Sequence, residues 1–488
     1  MTLDKLKHSY EDIIRAITDA GGRFVFVGGC VRDSLLGYAV KDYDAEVYNL
    51  FPEQLEKVLK KGGPVSFAGQ SFGVYHLHHR HLEISIPRKD QKTGSGHRGF
   101  KVTADPFLSF EEASKRRDLT MNSMGYDPIQ ELLLDPWQGQ KDMADNVLRA
   151  TDPNTFGEDP LRALRVMQLT ARFLMRPDDT LLKLCSEQDL SELPSERILG
   201  EFNKLLVKGQ RPSWGFEFLK NTGLLRYVEG VREVKDAAWH GLLEKVDKVP
   251  HEMSHQLRCH TKPDKGTLRI PAHGVDSSSW CLTPGSRNIA LDSELNRSQI
   301  KPVLGPNPES GVTKNLDPGV KHQNDDNKEN QKTYKKFGFM LTIIAWHLLE
   351  KNYVDAFLRY LKVSKDLYKQ VTQGYALLNK VGGLALNFES PYSWRHWAYH
   401  IHKGPVSFSQ MERLISLLHT QDLNKKFHRA VKAYHLDKAS KMCPIVQGQD
   451  LIDKGLKPGK NFSNILKKCH EYQLHKGCFD KKKILKAL

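Results

Sequence analysis

The run Phe24-Val25-Phe26-Val27-Gly28-Gly29-Cys30-Val31-Arg32-Asp33, continuing to Lys41-Asp42-Tyr43-Asp44, leaves this chain few ways to fold. Arg23 to Val27 is mostly apolar and β-branched or aromatic, the pattern of a buried strand. Gly28-Gly29 breaks it, and paired glycines in a strand-to-helix turn let the backbone approach a ligand and aim N–H groups at a phosphate. Val31 to Leu36 carries a short helical pattern whose positive end adds to an anion site. After Gly37 the chain turns into a second strand pattern, Tyr43 to Val47. Asp42 and Asp44 are two residues apart on extended chain, so both carboxylates share one face. Two convergent carboxylates beside a phosphate cradle suit one or two Mg²⁺ ions, which take few protein oxygens and share the rest with substrate phosphates. An isolated Asp-x-Asp is usually a solvated turn; the Gly-Gly-x-x-Arg-Asp run upstream tips the reading toward a site.

These residues carry a resemblance. GGCVRDSLLG followed by KDYDAEV resembles the head of the bacterial-type, class II tRNA nucleotidyltransferases (CCA-adding enzymes) and of their relatives, the bacterial poly(A) polymerases. The resemblance implies an α+β chain: a nucleotidyltransferase head, a mixed β-sheet with helices, followed by an all-α neck, body and tail. It implies that Asp42 and Asp44 are catalytic and hold Mg²⁺, and that Gly28, Gly29 and Arg32 hold the triphosphate and sugar.

Composition narrows the class. At 488 residues the chain has room for two to four domains. No apolar run is long enough to cross a bilayer, and Met1 to Lys7 lacks the apolar core of a signal peptide. A formal charge of +15 favours a polyanionic partner, though charge alone is weak support for nucleic acid. Seven cysteines, none in C-x-x-C spacing, argue against a zinc ribbon or a disulfide framework and fit a reducing cytoplasm. Cys30 reads as a small residue tolerated in the turn rather than a reactive thiol.

Along the head, Leu3 to Ala20 reads as a helix ending before Gly21-Gly22, and Gln54 to Lys61 as another. Val74 to His79 and His81 to Ile86 alternate as strands. Glu83 on the second is either a third catalytic carboxylate or an edge-strand charge; the resembling family has an acidic residue before the arginine matched by Arg88. Lys89 to Ala104 is Gly-rich, polar and basic, a loop that either closes over substrate or simply covers surface. Glu111 to Asp127 resembles the family's R-R-D-x-T-x-N-A block through Arg116, Arg117, Asp118, Thr120 and Asn122, with Ser123 for the usual Ala. Guanidinium forks bind phosphate oxygens bidentately, which favours phosphate contact by Arg117 over a solvated role.

The second informative block is Phe156 to Arg165. Glu158 and Asp159 precede Pro160, a helix opening, and Leu161, Leu164, Met167, Ala171 and Leu174 form one stripe. Asp159, Arg162, Arg165 and Arg172 fall opposite, as they would on an ordinary amphipathic helix too. Cytosine and adenine share an amino donor beside a ring-nitrogen acceptor. A carboxylate and a guanidinium one turn apart can satisfy both, while guanine and uracil would leave groups unpaired at about 1–3 kcal/mol each. In the resembling family this helix is the protein template, and Asp159, Arg162 and Arg165 match its motif; a further arginine of some members is Gln168 here. Ser195-Glu196-Arg197-Ile198 resembles the S-x-E-R-I block that packs on that helix, so Glu196 and Arg197 take a structural or orienting role.

The organisation drawn from sequence is a head over 1–147, a neck over 148–228, and a polar, largely disordered insertion over 229–336. A helical body over 337–440 and a basic RNA-binding tail over 441–488 follow. His251, His255 and His260 lack a carboxylate at ligand spacing, and no His-Asp dipeptide occurs, so neither a metal site nor an HD phosphohydrolase is expected. Trp394 to His402 packs in the body or stacks on bases. Gly448 to Lys468 resembles the CCA-enzyme tail, with a Pro458-Gly459 turn before a basic helix suited to shape-based recognition of folded RNA. The expectation is a template-independent enzyme that adds C and A from CTP and ATP to tRNA 3′ ends, with tRNA as partner and neither DNA nor membrane. A poly(A) polymerase, a CC-only or A-only enzyme, and a catalytically silent RNA-binding protein are the alternatives. Ser71 to Tyr75, where polymerases usually carry a basic strand, favours tRNA.

Overall fold

The computed structural model describes residues 8–61, 66–67, 74–77, 80–92, 100–233, 236–254, 337–338, 340–345, 351–382, 390–419, 421–459 and 461–487. The head begins with helix α1 (Glu11–Asp19), strand β1 (Arg23–Val27), helix α2 (Gly29–Leu35), strand β2 (Tyr43–Tyr48) and helix α3 (Pro52–Lys61). Short strands β3 (Ser66–Phe67), β4 (Val74–Leu77) and β5 (Leu82–Ser85) follow, then β6 (Arg88–Lys92) and β7 (Phe100–Ala104). Helix α4 (Phe110–Lys115), a 3₁₀ turn (Thr120–Asn122), β8 (Gly125–Asp127), β9 (Leu132–Leu134) and α5 (Gly139–Ala144) complete it.

Seven strands form one mixed sheet in the order β3-β4-β5-β2-β1-β8-β9. β1 and β2 are antiparallel, with Val25 opposite Glu46 and Phe26 opposite Ala45. β2 and β5 are parallel, with Asp44 opposite Glu83. Thus β2 is central, and its alternation decides the site. Ala45 and Val47 join Phe24, Phe26 and α1's Ile13, Ile14 and Ile17 in the main core. Tyr48 faces the other layer, with Val25, Val27, Leu108, Phe110 and Ala113. Asp44 and Glu46 share Tyr48's face by the two-residue period, so α4 packs over the acidic face of β2. Gly125 makes that packing possible, since a Cβ there would lie 2.5 Å from the Phe110 ring.

The segment expected as a loop from Lys89 to Ala104 is instead mostly a hairpin: β6 pairs with β7 from Arg88–Ala104 to Lys92–Phe100. The signal was there in part: Phe100, Val102 and Ala104 alternate with Lys101 and Thr103 along β7, while β6 is polar throughout. Residues 93–99, at its tip, lie outside the described residues.

Strand β10 (Val147–Leu148) leads to neck helix α6 (Leu161–Phe173) and then to β11 (Arg176–Pro177). β10 and β11 pair in parallel, Val147 with Arg176, which ties the end of the head to the neck. Helices α7 (Asp179–Ser186), α8 (Ser195–Lys208), α9 (Pro212–Asn221) and α10 (Asp236–Ser254) follow. The last falls where a disordered insertion was expected: Trp239, Leu242 and Val246 recur at helical spacing and are buried, so this part of the segment folds. Residues 255–336 lie outside the described residues.

The body comprises α11 (Lys351–Tyr360), α12 (Lys365–Gly382), α13 (Pro391–Lys403), α14 (Phe408–Leu418) and α15 (Gln421–Tyr434). Trp394 and Trp397 are buried against Phe427, and the Trp397 indole donates to the Leu377 carbonyl (3.2 Å). These tryptophans are core, not base-stacking platforms. The tail holds α16 (Ala439–Met442), α17 (Gly448–Asp453), α18 (Phe462–Lys476) and α19 (Lys481–Lys486), around a small core of Val446, Leu451, Cys469 and Ile484. The described residues all fall in one compact unit. Among the described residues no helix is long and apolar enough to cross a membrane.

Candidate active site

Gly28 joins β1 to α2 at φ 72°, ψ −129°, a backbone conformation that side chains resist. A Cβ there would also lie 2.7 Å from the Arg117 guanidinium, so the residue is glycine on two counts. Its own N–H is donated to the Met124 carbonyl (3.1 Å), so Gly28 serves by shape and clearance, and Gly29 opens the helix. Cys30 is buried; its thiol sits 3.2 Å from the Val27 carbonyl and 3.5 Å from that of Asp44, and burial pushes its pKa up to about 12. It is inert, as read from sequence.

Asp44 lies on the exposed first half of β2 beside Glu83, with Asp42 just before the strand. Its carboxyl titrates above the usual range. The packed protein around it is the main cause, followed by the charge of Glu83, with Asp42 and Glu46 adding and Arg117 opposing. Among the described residues the carboxylates of Asp42 and Asp44 accept no hydrogen bond and make no ion pair. Glu83 lies 3.2 Å from the His76 imidazole, the one contact that distinguishes it from the Asp pair. No group of three or more His, Cys, Asp or Glu among the described residues is arranged to hold a metal, so the three acids do not form a closed ligand set. Two open carboxylates are what a cation shared with substrate phosphates requires.

Glu46, next on the same face, is fully buried and was not anticipated. One oxygen takes both Arg116 (2.8 Å) and Arg117 (3.0 Å), and the other takes the Tyr48 hydroxyl (2.8 Å). Burial opposes its charge, but Arg117 and Arg116 outweigh it and hold its pKa below the usual range. Position alone could have found it, since Asp44 and Glu46 stand at the same period of two as Asp42 and Asp44. Arg117 therefore lies against the glycine turn, as expected of a phosphate contact, but anchored by Glu46.

Arg32 departs from its expected role. It is 6% exposed, pairs with Asp33 (2.7 Å), donates to the Asn122 side chain, and lies 4.8 Å over the Phe173 ring. So enclosed, it organises the floor of the site and presents no free fork to a triphosphate. Asp33 also pairs with Arg172 of α6 (2.7 Å), which ties head to neck.

On α6 every residue from Leu161 to Phe173 is buried except Arg162, Arg165 and Arg172, which keep partial exposure. An ordinary surface helix would leave a broad polar face, so these arginines occupy a seam. Arg162 donates to the carbonyls of Thr155 and Arg116 (both 2.7 Å). Arg165 pairs with buried Asp118 (2.5 Å), which holds that carboxyl down at about 2 against the effect of burial, assisted by Asn122. Asp159 accepts the Leu161 N–H (3.1 Å) and a two-pronged contact from Arg197 (2.7 and 3.3 Å), which gives Arg197 an orienting position. Glu196 makes only an exposed contact with Lys362 (3.5 Å). Through Glu46, Arg116 and Arg162, the acidic face of β2 and the neck helix belong to one bonded network.

The geometry defines a nucleotidyltransferase head joined to a helical neck. Three family matches agree: residues 24–149 with the Poly A polymerase head domain, 182–232 with the RNA and SrmB-binding site of polymerase A, and 338–488 with the tRNA nucleotidyltransferase domain 2. By these matches the chain is similar to the poly(A) polymerases over its head and to the tRNA nucleotidyltransferases over its body and tail. It is similar to the Multifunctional CCA protein of Methylobacillus flagellatus, 38% identical over 209 residues, covering 42% of this chain and 49% of that protein. It thus spans about half the length of that curated relative. Its fold is similar to the Bacillus stearothermophilus CCA-adding enzyme in complex with CTP, with a TM-score of 0.59 at 16% identity over 100% of this chain and 98% of that one. It is also similar to the Thermotoga maritima CCA-adding enzyme complexed with tRNA_CCA, with a TM-score of 0.57 at 16% identity over 99% and 94%.

Proposed function

We propose that this chain is a template-independent nucleotidyltransferase that adds C and A from CTP and ATP to the 3′ end of tRNA, releasing pyrophosphate. The observation that carries this is the bonded path from Glu46, on the same face of β2 as the open Asp44, through Arg116 to Arg162, which supports reading the neck helix and the β2 face as parts of one site. The relatives similar in fold are CCA-adding enzymes described with CTP and with tRNA. The head, neck, insertion, body and tail drawn from sequence remain our division of labour.

Asp42 and Asp44 fit a divalent cation shared with substrate phosphates, since their carboxylates are open and Arg117, the cation that Asp44 feels, is already balanced by Glu46. Mg²⁺ held by them would supply charge neutralisation at the transferring phosphate. Gly28 and Gly29 admit the triphosphate against the backbone, and Arg117 stands at the turn to meet it. Asp159 and Arg162 read the base: the carboxylate exchanges Arg197 for an exocyclic amino group, and the guanidinium exchanges a carbonyl for a ring nitrogen. Arg165 is the fixed member, held by Asp118.

The test offers purified protein, Mg²⁺ and one labelled nucleotide at a time to tRNA lacking CCA, ending in C, or ending in CC. Two C additions and a single A on the matching substrates are expected. Long A tails would assign a poly(A) polymerase, whose head domain residues 24–149 also match. Binding without incorporation would assign a silent RNA-binding protein.

A further inference from the structure

Neck helix α8 ends at Lys208, and the chain behind it folds back onto the head. The Gln210 N–H donates to the Ala171 carbonyl (2.9 Å), and its side-chain amide to the Arg172 carbonyl (2.7 Å) and the Tyr38 hydroxyl (2.9 Å). Tyr38 lies on the short segment that runs to Asp42, so these bonds tie the chain after α8 to the segment that leads into the carboxylate pair, and Asp42 is among the charges felt at Lys208. Three cations gather there. Arg172 is neutralised by Asp33 (2.7 Å) and Lys204 by Glu201 (2.8 Å). Lys208 keeps part of its surface exposed and makes no ion pair or hydrogen bond among the described residues.

We propose that Lys208, with Lys204 one turn before it, binds the terminal phosphodiester of the RNA acceptor strand and so positions the attacking 3′-hydroxyl. This rests on the nucleotidyltransferase reading above. The charges around Lys208 point the same way. The protein packed about it, then Arg172 and Lys204, lower its pKa below that of an ordinary lysine, against the pull of Asp33 and Asp42. An ammonium disfavoured by like charges gains when an anion arrives. The phosphate in question is not the nucleotide's. The triphosphate belongs at the Gly28 turn, where Arg117 is the adjoining cation, whereas Lys208 approaches from the neck side. In-line displacement puts the incoming hydroxyl opposite the leaving group, so the two strands of substrate need separate anion contacts.

Lys208→Ala and Lys208→Gln are compared with wild type and with Lys208→Arg. For tRNA lacking its terminal nucleotides, we measure the KM of nucleotide and of RNA and the salt dependence of RNA binding without catalysis. Both neutral variants should raise the KM and Kd for RNA about 3–10-fold, leave the nucleotide KM unchanged, and flatten the log–log salt slope by about one; Lys208→Arg should restore binding. A methylphosphonate at the terminal linkage should weaken wild type and leave Lys208→Ala unaffected. A raised nucleotide KM with unchanged RNA binding would assign Lys208 to the triphosphate and overturn the proposal, as would no change in either. Failure of wild type to incorporate nucleotide would strike the functional reading, while the methylphosphonate comparison would still decide the phosphate contact.

Discussion

The open half of β2 and the neck seam both carry acids next to arginines, yet their electrostatics are opposite. At Asp42 and Asp44 charge accumulates without a partner, and the fold raises the pKa of Asp44. At Asp118 and Arg165, and at Asp159 and Arg197, every charge is matched and the fold lowers the Asp118 pKa. The first region is incomplete until something cationic arrives with substrate. The second is complete and, on the function proposed above, gives up a contact to admit a base. Activity and stability should therefore respond to mutation with opposite signs in the two places.

The largest effect belongs to the incomplete region. Asp44→Asn should cut incorporation by on the order of 10³-fold or more, with RNA binding retained. Its melting temperature without divalent cation should equal or exceed that of wild type, because a repelled carboxylate has gone. The sign follows from linkage: a carboxyl with a raised folded pKa favours the fold when protonated, so its contribution is lost as pH rises through that pKa. A lower melting temperature would break the contrast.

Glu46 sits between the two regions and behaves as part of the matched one. Glu46→Gln leaves Arg116 and Arg117 half-buried without their counter-ion, a loss of about 3 kcal/mol or more in unfolding free energy by denaturant titration. Activity should fall as well, since the Arg116 carbonyl that Arg162 grips moves with that side chain.

What the sequence could and could not disclose follows the same division. Asp44 on β2 and the apolar stripe of α6 are local patterns of period two and 3.6 and stand on the expected elements, whereas Asp42 lies in a bend just before the strand. The pairings of Glu46 with Arg116, of Arg32 with Asn122 and of Asp159 with Arg197 join distant parts of the chain. No local period encodes such pairs, so Arg32 was read as a free phosphate ligand when it is a buried strut. The hairpin of β6 and β7 escaped because the polar run of β6 and the Gly-rich stretch after it outweighed the alternation of Phe100, Val102 and Ala104 on β7.

The matched region makes a pH prediction of the opposite slope. Asp118 titrates near 2 in the fold against 3.8 ordinarily. Its contribution, roughly 2 kcal/mol, is present above pH 3.8 and lost as pH falls toward 2. Asp118→Asn should flatten the acid limb of the stability curve in that window, and an unchanged limb would show that Arg165 gains nothing from the pair.

The smallest and most specific effect concerns Arg197. It occupies both oxygens of Asp159, so on the function proposed above it aims the carboxylate that the base would take. Arg197→Ala frees the acceptors but releases their orientation, with no buried charge stranded, because Asp159 and Arg197 are each about one-third exposed. Stability should change by about 1 kcal/mol or less. Discrimination of CTP and ATP against UTP and GTP should relax by about 10-fold as kcat/KM ratios, with the kcat for CTP nearly kept. If selectivity sharpens instead, Arg197 is a competitor and not a guide, and the neck seam is not a preset template but one that the incoming base must assemble.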